Sequence, residues 1–252
     1  IDEFCVGSNT LPFEDYLECR RLTMVLEIFY NNGIFRELFG FLRNRECSIS
    51  DFIMRAFEEM KRPDSPLREI FDGFIKENYE CWEREEDLLE FLRQPGVVDR
   101  YLDGELGNNE QQMYRAMAIF HHIDDLHRIA FDLAAEILQA KGVFGEGERQ
   151  YLKELHNYCL LEKSEILTEK FSAPKTFHFN FNRLKEKYFD EDPMAYYLPE
   201  GIKLEFIHTE DQRKLLRAHN IEDESSLSKY GLGILLSSSN FGKFYRKAHV
   251  VA

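Results

Sequence analysis

The interval between apolar residues changes once along this chain, and that change restricts the fold more than any other feature. Up to about residue 171 apolar side chains recur every three or four positions. Examples are Phe35, Leu38, Phe39 and Leu42, then Ile49, Phe52, Ile53, Ala56, Phe57 and Met60, then Ile70, Phe71, Phe74 and Ile75. That spacing lines one face of an α-helix. After Ser172-Ala173-Pro174 the interval becomes two: Phe177, Phe179 and Phe181 alternate with His178 and Asn180, and Ile202, Leu204 and Phe206 oppose Lys203, Glu205 and Ile207. Alternation of this kind marks half-buried strands. The expected fold is therefore mainly α. A strand and hinge over 1–11 lead into a multi-helix body over 12–171, and a small α+β unit with two short strands follows over 172–252. Two strands alone are marginal in water, so they must pack on helices or extend a sheet elsewhere.

Local signals place the helix ends. Pro12 with Glu14 and Asp15 opens a helix that runs to about Tyr30 and stops at Asn31-Asn32-Gly33. Ser48 or Ser50 is placed to cap the next-but-one helix, and Pro63, Pro66 and then Pro95-Gly96 punctuate the chain. The longest helix is expected over about Gln111 to Lys141, ended by Gly142, and another from near Glu148 to Lys170. The segment from Ser226 to Lys247 reads as a loose helix containing Gly231, Gly233 and Gly242.

Composition removes several classes of function. A hydrophobic share of 44%, with 22 phenylalanines and 12 tyrosines, is ample for a packed core. The most apolar stretch, Leu22 to Tyr30, carries Glu27 and falls far short of the roughly 18 residues that span a bilayer. The formal charge of −14 repels a phosphate backbone, so nucleic acid is not an expected partner. The basic cluster Lys243, Arg246 and Lys247 reads as a solvated helix end. The five cysteines are scattered, the nearest two being Cys5 and Cys19, which excludes CxxC pairs and suggests reduced thiols in the cytoplasm. The chain opens at Ile1 without a signal-peptide pattern, and we expect it to be cut from something longer.

The densest polar constellation runs from His121 through His122, Asp125 and His127, inside the longest expected helix. Spacings of three and four put His122 and His121 on the same face as Asp125, an arrangement able to share a metal or form an acid–base pair. The carboxylate-bridged di-metal bundles need a second Glu-x-x-His copy, which is lacking. The apolar stripe Ala116, Ile119, Ile123, Leu126, Ala130, Leu133 and Ile137 takes the opposite side, so a solvated polar face is the simpler expectation. His178 and His208 fall on the two expected strands, where pairing would bring them together. Glu83, Glu85, Glu86 and Asp87 read as a solvated face. Neither Gly231-x-Gly233 nor the serine-rich run at 237–242 has a phosphate-loop pattern.

The stretch Phe4-Cys5-Val6-Gly7-Ser8-Asn9-Thr10-Leu11-Pro12-Phe13-Glu14-Asp15-Tyr16-Leu17-Glu18, with Cys19-Arg20-Arg21 and Glu27-Ile28-Phe29-Tyr30-Asn31 beyond it, resembles a segment of cobalamin-binding radical S-adenosylmethionine (SAM) iron–sulfur oxidoreductases. In that family a late barrel strand ends in a polar turn, and a helix opening with Glu-Asp begins the region downstream of the catalytic barrel. Pro12 departs from the pattern, standing where a small capping residue is commoner. The resemblance covers roughly the first 35 residues. It implies a non-catalytic C-terminal accessory domain whose partners are the upstream domains of the same polypeptide. The [4Fe–4S] cluster, SAM and cobalamin are implied only for the parent, because this chain has neither a Cys-x-x-x-Cys-x-x-Cys triplet nor an Asp-x-His-x-x-Gly signature. Two other readings remain open: an independent helical module that binds a ligand or protein, and a His/Asp metal-dependent enzyme.

Overall fold

A computed structural model describes residues 5–79, 82, 84–103, 106, 107, 109–167, 173–218 and 241–251. The body is helical: α1 (Phe13–Leu26), which continues into a π-helical turn (Glu27–Asn31), then α2 (Arg36–Asn44), α3 (Ile49–Lys61), α4 (Arg68–Glu77), α5 (Glu85–Leu92), α6 (Val97–Leu102), α7 (Glu110–His121), α8 (Ile123–Ala140) and α9 (Glu146–Lys163). Beyond it come β1 (Lys175–Phe179), α10 (Phe181–Glu186), a 3-10 turn (Pro193–Tyr196), β2 (Tyr197–Ile207), α11 (Glu210–Ala218) and β3 (Lys247–Val250). The mainly α architecture with a small α+β unit is as the apolar intervals predict.

Capping explains several starts. The Ser48 hydroxyl accepts from the Asp51 amide at 3.2 Å, and the Asn109 side chain accepts from the Gln112 amide at 3.0 Å. Each satisfies an amide that the first helical turn leaves without a partner. Gly33 and Gly142 take positive φ just past the helices they follow, the left-handed geometry that ends helices at little steric cost, and Gly96 takes it at the N-cap of α6.

The structure departs from the sequence expectation at four places. The long helix breaks at His122, whose φ of −128° and ψ of 27° leave the helical region. The break lets α7 pack on α4 while α8 packs on α3 and α9. Helix α9 stops at Lys163, seven residues short of the predicted end. Among the described residues the sheet has three strands, not two, in the order β1-β2-β3 with both pairs antiparallel. The third strand comes from the segment read as a loose helix; the part of that segment from 226 to 240 lies outside the described residues, as do Cys81 and the strand start at 1–4. Arg246, read as solvated, is buried and donates to the carbonyls of Leu161, Ser164 and Glu165 at 3.4, 2.5 and 2.8 Å. It thus caps the C-terminal end of α9, where unpaired carbonyls concentrate partial negative charge.

One continuous apolar core runs through body and sheet. Its centre between them is aromatic. Phe177 and Phe179 from β1, Phe206 from β2 and Phe181 from α10 meet Tyr151 and Tyr158 of α9, with ring centroids 4.7–6.3 Å apart. Edge-on and offset contacts at such separations are the favoured ones. Gly201 lies within β2 at φ +70°, and a Cβ there would sit 2.7 Å from Thr176 Cγ2, so glycine lets β1 and β2 close around their bulge.

Helices α5 and α6 are attached differently. Helix α5 buries none of its residues and α6 buries only Val97, while Trp82 stacks against Phe91 at 5.0 Å without reaching the main core. Few buried apolar contacts mean a low local opening energy. Amide hydrogen exchange is therefore expected to be fastest, among the helices of the body, over residues 84–103. Protection there equal to that of α8 would show that the pair is held by the global fold.

Candidate functional site

The four residues His121, His122, Asp125 and His127 do not converge. His121 ends α7 and is exposed; burial of part of its ring and the neighbouring His122 lower its pKa below the usual histidine range. His122 sits at the helix break with its Nδ1 3.7 Å from Asp125, which also pairs with Arg128 at 3.3 Å. His127 turns inward. It is fully buried, its Nδ1 lies 2.9 Å from the Ile123 carbonyl, and its ring packs among Phe35, Phe131 and His156. Among the described residues, no three His, Cys, Asp or Glu side chains are placed to share a metal ion.

Burial, with the Lys163 charge as a second cause, drives the His127 pKa down to about 3. The imidazole is therefore neutral in the fold, with its Nδ1 proton donated to the Ile123 carbonyl. The unfolded chain binds a proton near pH 6.5 that the native state refuses until about pH 3. Stability from this group is complete above pH 6.5 and falls across the window from 6.5 to 3, by at most about 1.4 kcal/mol per pH unit. We expect His127→Leu to flatten the urea-midpoint profile in that window. An unchanged slope in the variant would assign the acid sensitivity to other groups.

His178 and His208 do not meet either. His178 Nδ1 lies 3.0 Å from Glu154 Oε1, and its backbone amide donates to the same carboxylate at 2.6 Å. His208 Nε2 is 3.0 Å from the Phe244 carbonyl. Cys159, near His156 in the sequence, is fully buried, and desolvation pushes its thiol well above the usual range, so it is no nucleophile.

A different constellation forms where α2 meets the loop after α10. Tyr30, Asn31, Gly33, Arg36, Phe39, Arg43, Tyr188 and Asp190 line a groove of about 450 Å³. One wall is the π-helical turn. Its Glu27 accepts from Asn31 at 2.7 Å and pairs with Arg115 at 2.6 Å, and the Glu27 carbonyl accepts from Asn32. The floor is a single face of α2, since Arg36, Phe39 and Arg43 stand at i, i+3 and i+7. Tyr188 also lines the groove, and Tyr188-Phe189 are two non-glycine residues in succession with φ of 56° and 61°. Bonds from Tyr188 N to Lys185 O at 3.0 Å and from Phe189 N to Leu184 O at 2.8 Å fix that geometry as the end of α10. Phe189 is buried over Gly40, where a Cβ would lie 2.5 Å from the Phe189 carbonyl oxygen; only glycine allows this approach.

The consequence is a groove framed by two costly pieces of backbone, each holding a tyrosine outward: Tyr30 is 49% exposed and Tyr188 is 68% exposed. π-turns and left-handed aromatic residues concentrate at functional sites, where surrounding structure has to hold them. The groove charges are also unequal. Arg43 pairs with Asp190 at 3.2 Å, whereas Arg36 has no acidic partner among the described residues. A second surface hollow, between α3 and α8, lacks this character because its arginines are neutralised: Arg55 pairs with Asp51 and Glu136, and Arg62 with Glu59 and Asp64. The sequence offered only half of the groove. The Arg-x-x-Phe-x-x-x-Arg spacing after Asn31-Asn32-Gly33 was available to inspection, but Tyr188 is brought to it only by tertiary packing.

Of the cysteines described, Cys5 and Cys19 are exposed and Cys47 and Cys159 are buried. Comparison of the chain with protein-family models, with curated proteins and with solved structures gives no match.

Proposed function

We propose that this chain is the C-terminal helical region of a cobalamin-binding radical SAM oxidoreductase, non-catalytic itself, which packs against the catalytic barrel and shapes access to it. The observation that carries the reading is the Phe4 to Asn31 stretch. From Phe13 onward it forms α1 and the π-helical turn.

The surroundings of the α1 N-terminus support the reading. Ser8 N donates to Leu11 O at 2.7 Å, closing a turn that delivers the chain to Pro12 and the helix. Around it Phe13 packs on Tyr16 at 6.0 Å and edge-on to Tyr79 at 5.4 Å, and the Tyr79 hydroxyl donates to Glu14 at 3.2 Å. Leu11 and Tyr79 remain substantially exposed. An apolar, aromatic collar at the place where the chain runs into α1 suits the upstream barrel of the same polypeptide, since the covalent connection holds that barrel nearby at high effective concentration. The cluster, SAM and cobalamin belong to those upstream domains, and the residues here hold none of them. No helix among the described residues is long and apolar enough to cross a membrane.

Reading the coding sequence upstream of Ile1 tests the proposal. A Cys-x-x-x-Cys-x-x-Cys triplet is expected there, and the full-length protein should bind iron and cleave SAM while this chain alone does neither. An upstream frame without that triplet would overturn it.

A further inference from the structure

We propose that the groove between α2 and the Tyr188 loop is a binding site for a small aromatic molecule carrying a single anionic group, a carboxylate or a phosphate ester. The inference stands apart from the parentage proposed above, because it rests on the groove alone.

Three features select that chemistry. The first is charge. Among the groove residues the ionised groups are Arg36, Arg43 and Asp190. The Arg43–Asp190 pair cancels, leaving one uncompensated cation in a protein of formal charge −14. An unpaired guanidinium attracts one anion locally even though the protein as a whole is acidic, and its planar fork matches a carboxylate or phosphate. The guanidinium also has a defined seat. Arg36 Nη2 and Nε lie 3.9 and 4.0 Å from the point where a Gly33 side chain would begin, so the head group rests over backbone that glycine leaves bare.

The second feature is the ring lining. Phe39 forms the apolar floor, with Tyr30 tilted against it at 5.8 Å. Tyr188 lines the groove as well. With Tyr30, Phe39 and Tyr188 all lining it, the groove offers aromatic side chains to a flat ring, and such ring contacts add to simple burial. The third feature is size: about 450 Å³ lies within the range of sites for small molecules. The two strained walls then have a purpose. The backbone that carries Tyr188, at φ 56°, and Tyr30, on the π-turn, is fixed before any ligand arrives, so binding costs little backbone ordering.

The experiment uses this 252-residue chain, with 2-naphthoate as the anionic aromatic probe, 2-naphthalenemethanol as its neutral counterpart, and inorganic phosphate as an anion without a ring. Binding is followed by NMR through the Arg36 Nε–H resonance and the probe's own signals. Saturable binding of 2-naphthoate is expected. It should weaken at least tenfold in Arg36→Gln and in Tyr188→Asn, and the alcohol and phosphate should each bind at least tenfold more weakly than the naphthoate. Asparagine tolerates the left-handed backbone at 188, and both side chains are exposed, so an unchanged circular-dichroism spectrum reports that the fold is intact. Absence of saturation by 5 mM naphthoate overturns the proposal. So does equal binding of naphthoate by Arg36→Gln, or binding of the neutral alcohol as tight as that of the acid. Either result leaves the parentage untouched, since that is read from the upstream coding sequence.

Discussion

Replacing Lys163 by methionine is expected to destabilise the protein by about 3–5 kcal/mol, the cost typical of leaving one member of a buried ion pair without its partner. Lys163, the last residue of α9, is fully buried; its Nζ donates to Glu37 Oε2 at 2.5 Å and to the Ile34 carbonyl at 2.6 Å. The Cys159 thiol also reaches Glu37, at 4.0 Å, and the Tyr245 ring covers the ammonium at 5.5 Å. Burial works against the charge on Lys163, but the Glu37 carboxylate beside it outweighs that and raises its pKa, so it stays ionised. Methionine has a similar length and removes the charge, which strands the Glu37 carboxylate in the core. The measurement is the urea midpoint at pH 7, with an expected fall in Tm of about 6–20 °C for a chain of this size. Glu37→Gln combined with Lys163→Met should recover much of the loss. A single-variant loss below about 1 kcal/mol would mean that water reaches the pair.

The second large effect is expected at Phe181. Its ring is completely buried and lies 4.7 Å from Tyr158, 5.6 Å from Phe177, 5.7 Å from Tyr151 and 6.3 Å from Phe179, so it joins α9 to the sheet. Phe181→Ala removes that ring from a site walled by other large side chains that cannot collapse into the space. The expected cost is about 3–5 kcal/mol. Hydrogen exchange gives the sharper test. Protection should fall first in β1 and β2, ahead of α3 and α8, because the sheet packs on α9 through this contact. A uniform loss across the molecule would show that body and sheet unfold as one cooperative unit. The Lys163 site lies against the same region, near Glu162, which ion-pairs with Lys185 of α10, so the two substitutions are not expected to add simply.

The helical body was readable in the sequence because helix formation is local. Residues such as Phe52, Ile53, Ala56, Phe57 and Met60 are all buried on one face of α3, as their three- and four-residue spacing requires, and Ser48 caps that helix as its chemistry predicts. The alternation of Phe177 and Phe179 likewise fixed which face of β1 turns inward. The His122 break was not readable. Apolar periodicity continues across it from Ile119 to Ile123, and the break shows only in the packing, α7 lying on α4 while α8 lies on α3 and α9. His127 shows the same limit: in sequence it belongs to the polar run that begins at His121, yet it stands four residues after Ile123 on the inward face of α8, where one carbonyl bond accommodates it.

The third strand and the groove depended wholly on contacts distant in sequence. Lys247–Val250 becomes a strand because the open edge of β2 offers it hydrogen bonds, with Leu204 opposite Val250 and Phe206 opposite Ala248. Arg246 can be buried because the carbonyls at the end of α9 accept its hydrogen bonds. Arg36 and Tyr188 are 152 residues apart and share a groove because Phe189 closes on Gly40. What the sequence determined by itself is therefore the local record: period, caps, turns, and the excess of acid. Tertiary structure decided which buried polar groups find partners and which distant side chains face one another. The reason is physical: a helix or strand is chosen by neighbours a few residues away, whereas a site is assembled by packing that no short stretch of chain encodes.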